Sequence, residues 1–414
     1  MNSIHRFRAK PQIPLESATL VIKGSKEVNM EATILQTRQD CEDLLEGALW
    51  LGTGGGGSYQ EGIELLEEII NEGLSLGWVD AESIPDDVWT VTVGLHGSIA
   101  PLSSETLAEI RDNGLTETQD EWYLVKAVKE LGVSLGHDFG CVVSGELGPA
   151  SVADTLAVGA RLGIPVVDGD YIGRAVPEET QSTYCLHGKN SHLFAGVDRW
   201  GNSVFVKNAV NIHALERMAK MLAVASYGDI AVATTPLIAE EMKKIVVPGT
   251  LSQCLKIGQT LRASRENGSD PVDAAVEASQ GWRLFDGTVK SLKTEDRDGY
   301  YFGTVEVEGT GDFQDQTLEV WFKNENQITW LNGSPWVCSP DLVTFVYKES
   351  GRGGYNAELK EGDEIAVIGM KGVEGFRTKF GLSLAGPAHF GFDIDYIPIE
   401  ELMTETAPKI VEKP

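Results

Sequence analysis

The chain has 414 residues, 42% of them hydrophobic and 23% charged, which is the globular range and room for two or three domains with cores of their own. A formal net charge of −28 argues against a nucleic-acid or anionic-membrane partner, since such surfaces collect Lys and Arg. Five scattered cysteines without CxxC spacing exclude a disulfide framework or a zinc ribbon.

Residues 1–29 carry Arg and Lys with little hydrophobic period and read as a flexible extension. From Met30 the pattern is regular. Cys41, Leu44, Leu45, Ala48 and Leu51 share one helical face, and Ile63, Leu65, Leu66, Ile69 and Ile70 share another, so the run Gly52-Thr-Gly-Gly-Gly-Gly57 joins two helices. Short apolar runs at 88–94, 140–144 and 164–168 read as buried strands, with helices near 121–132 and 150–162 between them. A strand at 203–206, helices at 214–226, from Pro236 and at 271–280 complete an α/β catalytic domain over 30–281, its sheet mostly parallel. Alternating segments at 287–290, 303–308, 318–322 and 364–368 predict a β-rich domain over 282–403, and 404–414 a tail. No apolar run reaches the roughly 18 residues of a membrane span and no signal-peptide core opens the chain, so a cytoplasmic protein is expected.

The glycine run meets the letter of a dinucleotide fingerprint, but that motif needs a strand before the glycines, and here a helix precedes them. Alternatively, the glycines only permit a tight turn. Four in a row exceed that need, which favours a third reading in which the N–H groups of Gly54, Gly55, Gly56 and Gly57 form an anion nest.

In an α/β sheet, ligands bind beyond the carboxyl ends of the strands. Three such ends carry His96, Glu146, and Asp168 with Asp170, and Arg174 follows. Further on, Cys185, His187 and His192 could ligate zinc, or could be a buried thiol and two surface histidines.

Taken together, Leu51–Gly57, Gly163–Asp170, Gly173–Pro177 and Asp198–Asn202 resemble the S-methyl thiohydantoin desulfurase family, as do Lys323-Asn-Glu325, Ser339–Val343 and Gly386–Gly391 further on. The likeness spans about Met30 to Ile397. It implies an α/β domain, a β-rich domain akin to hydantoinase and oxoprolinase proteins, and hydrolysis of an S-methyl thiohydantoin to hydantoin and methanethiol, in ergothioneine-derived catabolism. Departures stand at Ser58-Tyr59, where many members have Asp-Pro, at His96-Gly-Ser98, where they have a Gly-Ala-Pro-like segment, and at Glu146–Ala150, where they have Glu-Gly-Gly-x-Asn.

On that resemblance the expected mechanism uses zinc-activated water. His96 and His187 would be ligands, with Cys185, His192 or Asp168 completing the set, and Asp170 or Glu146 the general base. Arg174 would hold a substrate carboxylate, the glycines would cradle a ring oxygen or that carboxylate, and Lys189 would be a further substrate contact. A homo-oligomer is expected. The rival expectation is a non-catalytic subunit that binds a small anion.

Overall fold

The computed structural model describes residues 16–20, 28–98, 102–115, 121–189 and 191–406, with side chains over 30–404. One sheet is built from β1 (Glu16–Leu20), β2 (Val28–Leu35), β3 (Leu76–Val79), β4 (Trp89–Gly97), β5 (Cys141–Ser144), β6 (Val166–Asp170), β7 (Phe194–Val197), β8 (Ser203–Val206), β9 (Asp229–Ile238) and β10 (Val247–Pro248). Its order is β1-β2-β3-β6-β5-β4-β9-β7-β8, with β10 on β6. The expected α/β architecture is present, and its parallel part is the centre, where β3, β6, β5 and β4 run together. Antiparallel strands flank that centre on both sides.

Helices α1 (Arg38–Leu51), α2 (Tyr59–Asn71), α3 (Ser104–Asp112), α4 (Tyr123–Leu135), α5 (Pro149–Leu162), α6 (Thr183–Leu186), α7 (Ile212–Ala225), α8 (Ala239–Met242), α9 (Thr250–Asn267) and α10 (Pro271–Ser279) accompany this sheet. A capping box of Thr37 and Asp40 starts α1, and Ser58 caps α2. Their apolar faces enter one core with Val91, Val142 and Leu156. No helix among the described residues is long and apolar enough to cross a membrane.

Two expectations change here. Residues 16–20 and 28–29, assigned to a flexible extension, are strand, paired as β1 against β2; the rest of 1–29 lies outside the described residues. The helix expected from Pro236 is instead the end of β9, and α8 spans only Ala239–Met242. The run Ile230–Thr235 is small and β-branched, and it gains its strand partners from β4 and β7, which sequence spacing cannot reveal.

The second domain is an antiparallel sheet of β11 (Trp282–Arg297), β12 (Tyr300–Gly309), β13 (Thr317–Lys323), β14 (Glu325–Leu331), β15 (Ser334–Cys338), β16 (Leu342–Tyr347) and β17 (Glu364–Met370), in the order β15-β14-β13-β12-β11-β17-β16. Its alternating residues Phe285, Val305, Val320, Phe322, Phe345 and Val367 bury a separate core, as the alternation predicted. Helices α11 (Lys379–Ala385) and α12 (Ile399–Thr406) follow. The two domains are stitched at the end of α1: Asn326 N donates to Thr53 O and Asn356 N to Gly54 O, both at 2.9 Å, and Trp50 Nε1 donates to Gly351 O at 2.8 Å.

Candidate functional site

A cavity of about 530 Å³ lies beyond the carboxyl ends of β4 and β5 and is closed on another side by the second domain. β4 delivers His96, and the turn after β5 delivers Glu146. β9 runs antiparallel to β4 with Gly97 opposite Asp229, so its first residue stands at the same end of the sheet. The turn between β13 and β14 adds Glu325, held there by Asn324 at φ 55°, whose side chain accepts from Tyr301 N at 2.8 Å.

The glycine run forms the junction beneath this cavity. A Cβ at Gly55 would stand 1.9 Å from Glu325 Oε1, and one at Gly56 would stand 2.4 Å from the Gly148 Cα at the start of α5. Only glycine lets the Glu325 carboxyl and the α5 backbone come so close. Gly56 and Gly57 line the cavity, and their N–H groups donate to no described residue, whereas Gly54 and Gly55 face the second domain.

The wall is strongly acidic, with nine carboxylates against Lys220 and Arg199. Most are partnered. Glu146 accepts from Ser151 Oγ at 2.8 Å and from Val176 N at 3.0 Å, and desolvation still lifts its pKa above the ordinary carboxylate value. Glu178 meets Lys323 and, at 3.0 Å, His389 Nε2; burial pushes its carboxyl up, but these partners outweigh it and bring it down to about 2. Glu179 Oε1 lies 3.0 Å from His96 Nε2. Glu216 accepts from Tyr300 Oη at 3.0 Å and from Glu179 N at 2.9 Å, and stands 3.9 Å from Lys220.

Two carboxyls are different. Glu325 is buried, its Oε2 has no hydrogen-bond partner, and desolvation followed by the nearby Glu146 charge raises its pKa well above the ordinary value. Asp154 on α5 is 6% exposed, and desolvation, then Asp229 and Glu61, push it up to about 8. Asp154 therefore holds a proton near neutrality and Glu325 holds its proton more tightly than an ordinary carboxyl, while Glu146, with two donors, is better placed to ionise.

The other residues singled out in the sequence do not join this cavity. Asp168 accepts from Ser252 N at 3.0 Å and from the Ser252 hydroxyl, fixing the start of α9. Asp170 Oδ2 accepts from Ile172 N and Gly173 N at 2.9 and 2.7 Å, which shapes the turn after β6, and burial pushes its pKa to about 7. Arg174 is 4% exposed and donates to Ala175 O, Thr53 Oγ1 and Asn326 O at 2.8 to 2.9 Å, so its guanidinium bridges the domains instead of awaiting a carboxylate. Lys189 pairs with Glu241.

The expected zinc set is dispersed. His187 is exposed, with Nδ1 2.8 Å from Thr183 O. Cys185 is buried with Sγ donating to Glu179 O at 3.2 Å, and burial pushes its thiol up to about 12, away from the thiolate a metal needs. Among the described residues no three His, Cys, Asp or Glu side chains gather as metal ligands. His96, Asp168, Cys185, His187 and His192 thus do not fit the role assigned to them: Asp168 is held by Ser252, His187 turns to Thr183 O, and Cys185 is a buried thiol on Glu179 O.

Sequence reasoning missed Asp154 and did not assign Glu325. The signal for Asp154 was one acid on a face of α5 otherwise made of Val152, Ala153, Leu156 and Ala157. Glu325 enters the sequence reading only within Lys323-Asn-Glu325, a segment of the family resemblance, and nothing local tells that it crosses to the first domain.

Family models match almost the whole chain: an S-Me-THD-like N-terminal domain over residues 39–208 and an S-Me-THD-like C-terminal domain over 210–399. No curated protein matches. The X-ray structure of a protein from Chromobacterium violaceum superposes with a TM-score of 0.68 at 21% identity, covering 88% of this chain and 99% of the other, a likeness of fold.

Proposed function

We propose a reaction from one premise: the chain belongs to the S-methyl thiohydantoin desulfurase-like (S-Me-THD-like) family. The reaction is hydrolysis of the exocyclic C–S bond of an S-methyl thiohydantoin. The observation that carries it is the pair Glu146 and Glu325, from different domains, on the wall of one cavity with unlike proton affinities.

The ring carbon bearing sulfur is doubly bonded to nitrogen and accepts a nucleophile. Glu146, held by Ser151 and Val176, takes a proton from water as the oxygen bonds to that carbon. The electron pair of the C=N bond moves to nitrogen, and neutral Glu325 supplies the proton it needs. Collapse of the tetrahedral adduct then passes its hydroxyl proton to the Glu325 carboxylate as the C=O forms, breaks the C–S bond and expels methanethiolate, which takes the proton held by Glu146 and leaves as methanethiol, so both carboxyls return to their starting states. The Gly56 and Gly57 N–H groups are free to hold the ring carbonyl oxygen.

The acidic wall weighs against the rival reading of a small-anion-binding subunit, since a carboxylate or phosphate would enter among nine acids. The test is methanethiol release from an S-methyl thiohydantoin, followed with a thiol reagent. Glu146→Gln is expected to lower kcat about 1000-fold and Glu325→Gln about 100-fold, with both variants folded. Wild-type turnover in Glu146→Gln would overturn the assignment.

A further inference from the structure

The cavity has a second acidic end whose chemistry the hydrolysis does not use. Asp154 on α5 faces Glu61 of α2, Tyr123 of α4, Asp229 of β9 and, beyond it, Arg199 of the β7–β8 turn. It lines the cavity and is more than nine-tenths buried, yet it accepts no hydrogen bond and forms no ion pair with any described residue. Asp229 Oδ1, beside it, is also buried and without a partner, while Asp229 Oδ2 is taken by Arg199. Buried polar groups are nearly always satisfied, so one unmet buried oxygen of Asp229 and, next to it, the unpartnered Asp154 carboxyl on the cavity wall point to a donor that arrives from outside the chain.

Which donor follows from the rest of the wall. Lys220 is directed to Gly97 O at 3.2 Å, to Glu216 and to the Tyr300 ring, and Arg199 is paired with Asp229. Among the described wall residues both cations are engaged with carboxylates, and although Arg199 Nε has no partner, nine acids outnumber the two and favour a cationic over an anionic substituent. We propose that the Asp154 end is the subsite for a positively charged substituent of the substrate, an alkylammonium or protonated amine that lies between Asp154, Asp229 and Glu61. The thiohydantoin reading enters only in naming the ring that carries this substituent. Burial beside two acids, which pushes Asp154 up to about 8, means that the empty subsite holds a proton in the place the cation would take. Cation binding would displace that proton.

The test is calorimetric binding of three hydantoins that bear an aminoalkyl, a carboxyalkyl or a neutral alkyl chain of equal length, to wild type and to Asp154→Asn. The aminoalkyl compound is expected to bind about 100-fold more tightly than the carboxyalkyl one to wild type and less than about tenfold more tightly to the variant. The neutral compound should bind both proteins alike, which shows that the variant keeps its cavity. Equal or tighter binding of the carboxyalkyl compound, or an undiminished preference in Asp154→Asn, would overturn the subsite. Absent methanethiol release overturns the reaction alone. If no hydantoin binds, butylammonium decides the matter: a melting shift in wild type that Asp154→Asn lacks supports the subsite, and no shift overturns it.

Discussion

Arg174 and Asp154 are both charged-type residues with almost no solvent exposure, and the sequence invites a functional reading of the first and none of the second. In the folded chain the roles are exchanged. Arg174 has its guanidinium bonded to carbonyls and a hydroxyl from both domains, so its hydrogen-bonding capacity is consumed by the fold. Asp154 makes no such bond to any described residue and lines the cavity. Burial alone therefore does not separate a binding residue from a structural one; unmet hydrogen-bonding capacity at a cavity wall does.

The comparison can be broken by three measurements beyond those above. Arg174→Met should cost about 4 kcal/mol of unfolding free energy in urea, because it leaves the buried acceptors Thr53 Oγ1 and Asn326 O, one from each domain, without their donor. A loss under about 1 kcal/mol would mean that Arg174 is not the bridge it resembles.

Asp154→Asn should do the opposite, with a dependence on pH whose sign is fixed. The folded-state pKa of about 8 exceeds the unfolded value near 3.8, so the wild type loses stability as pH rises from about 4 through about 8, where folding keeps a proton that the unfolded chain has released. Glu61, Asp229, Tyr123 and Arg199 are the charged or titrating groups that face it. The variant escapes this loss and should be more stable than wild type by about 3 kcal/mol at pH 9, with the difference vanishing below pH about 4; water reaching a cavity wall softens the full equivalent of the shift. Melting curves at both pH values check it, and a difference unchanged between them would refute the buried charge.

The smallest effect belongs to His187, in the segment whose spacing suggests metal ligands. His187→Ala should change unfolding free energy by less than about 0.5 kcal/mol and leave methanethiol release as it was, since its ring is exposed and meets only Thr183 O. A rate loss of tenfold or more would restore that segment to the site.

Where the chain's local pattern decides structure, the sequence was readable. The helix–glycine–helix joint, the strands within 140–144 and 164–168, and the alternation of β11 to β13 all follow from side-chain period and turn chemistry, although β6 runs on to Asp170. Glu146 was legible because it follows a strand. What could not be read are the contacts that need two distant segments at once: β9 against β4 and β7, Glu325 upon Gly55, and the neighbours that make Asp154 a buried acid. The Cys185–His192 spacing misled for the same reason, since ligand-like spacing says nothing about which way each side chain turns.

The close seating of Glu325 upon Gly55 also has a consequence for biosynthesis. The ribosome delivers the glycine joint and Glu146 long before it delivers Glu325, so the first domain emerges with a groove over the glycines that its partner has yet to fill. A nascent chain halted ahead of β14 would carry one glutamate of the proposed pair and an open cavity floor. The cavity wall that carries both carboxyls is complete only when the second domain has docked.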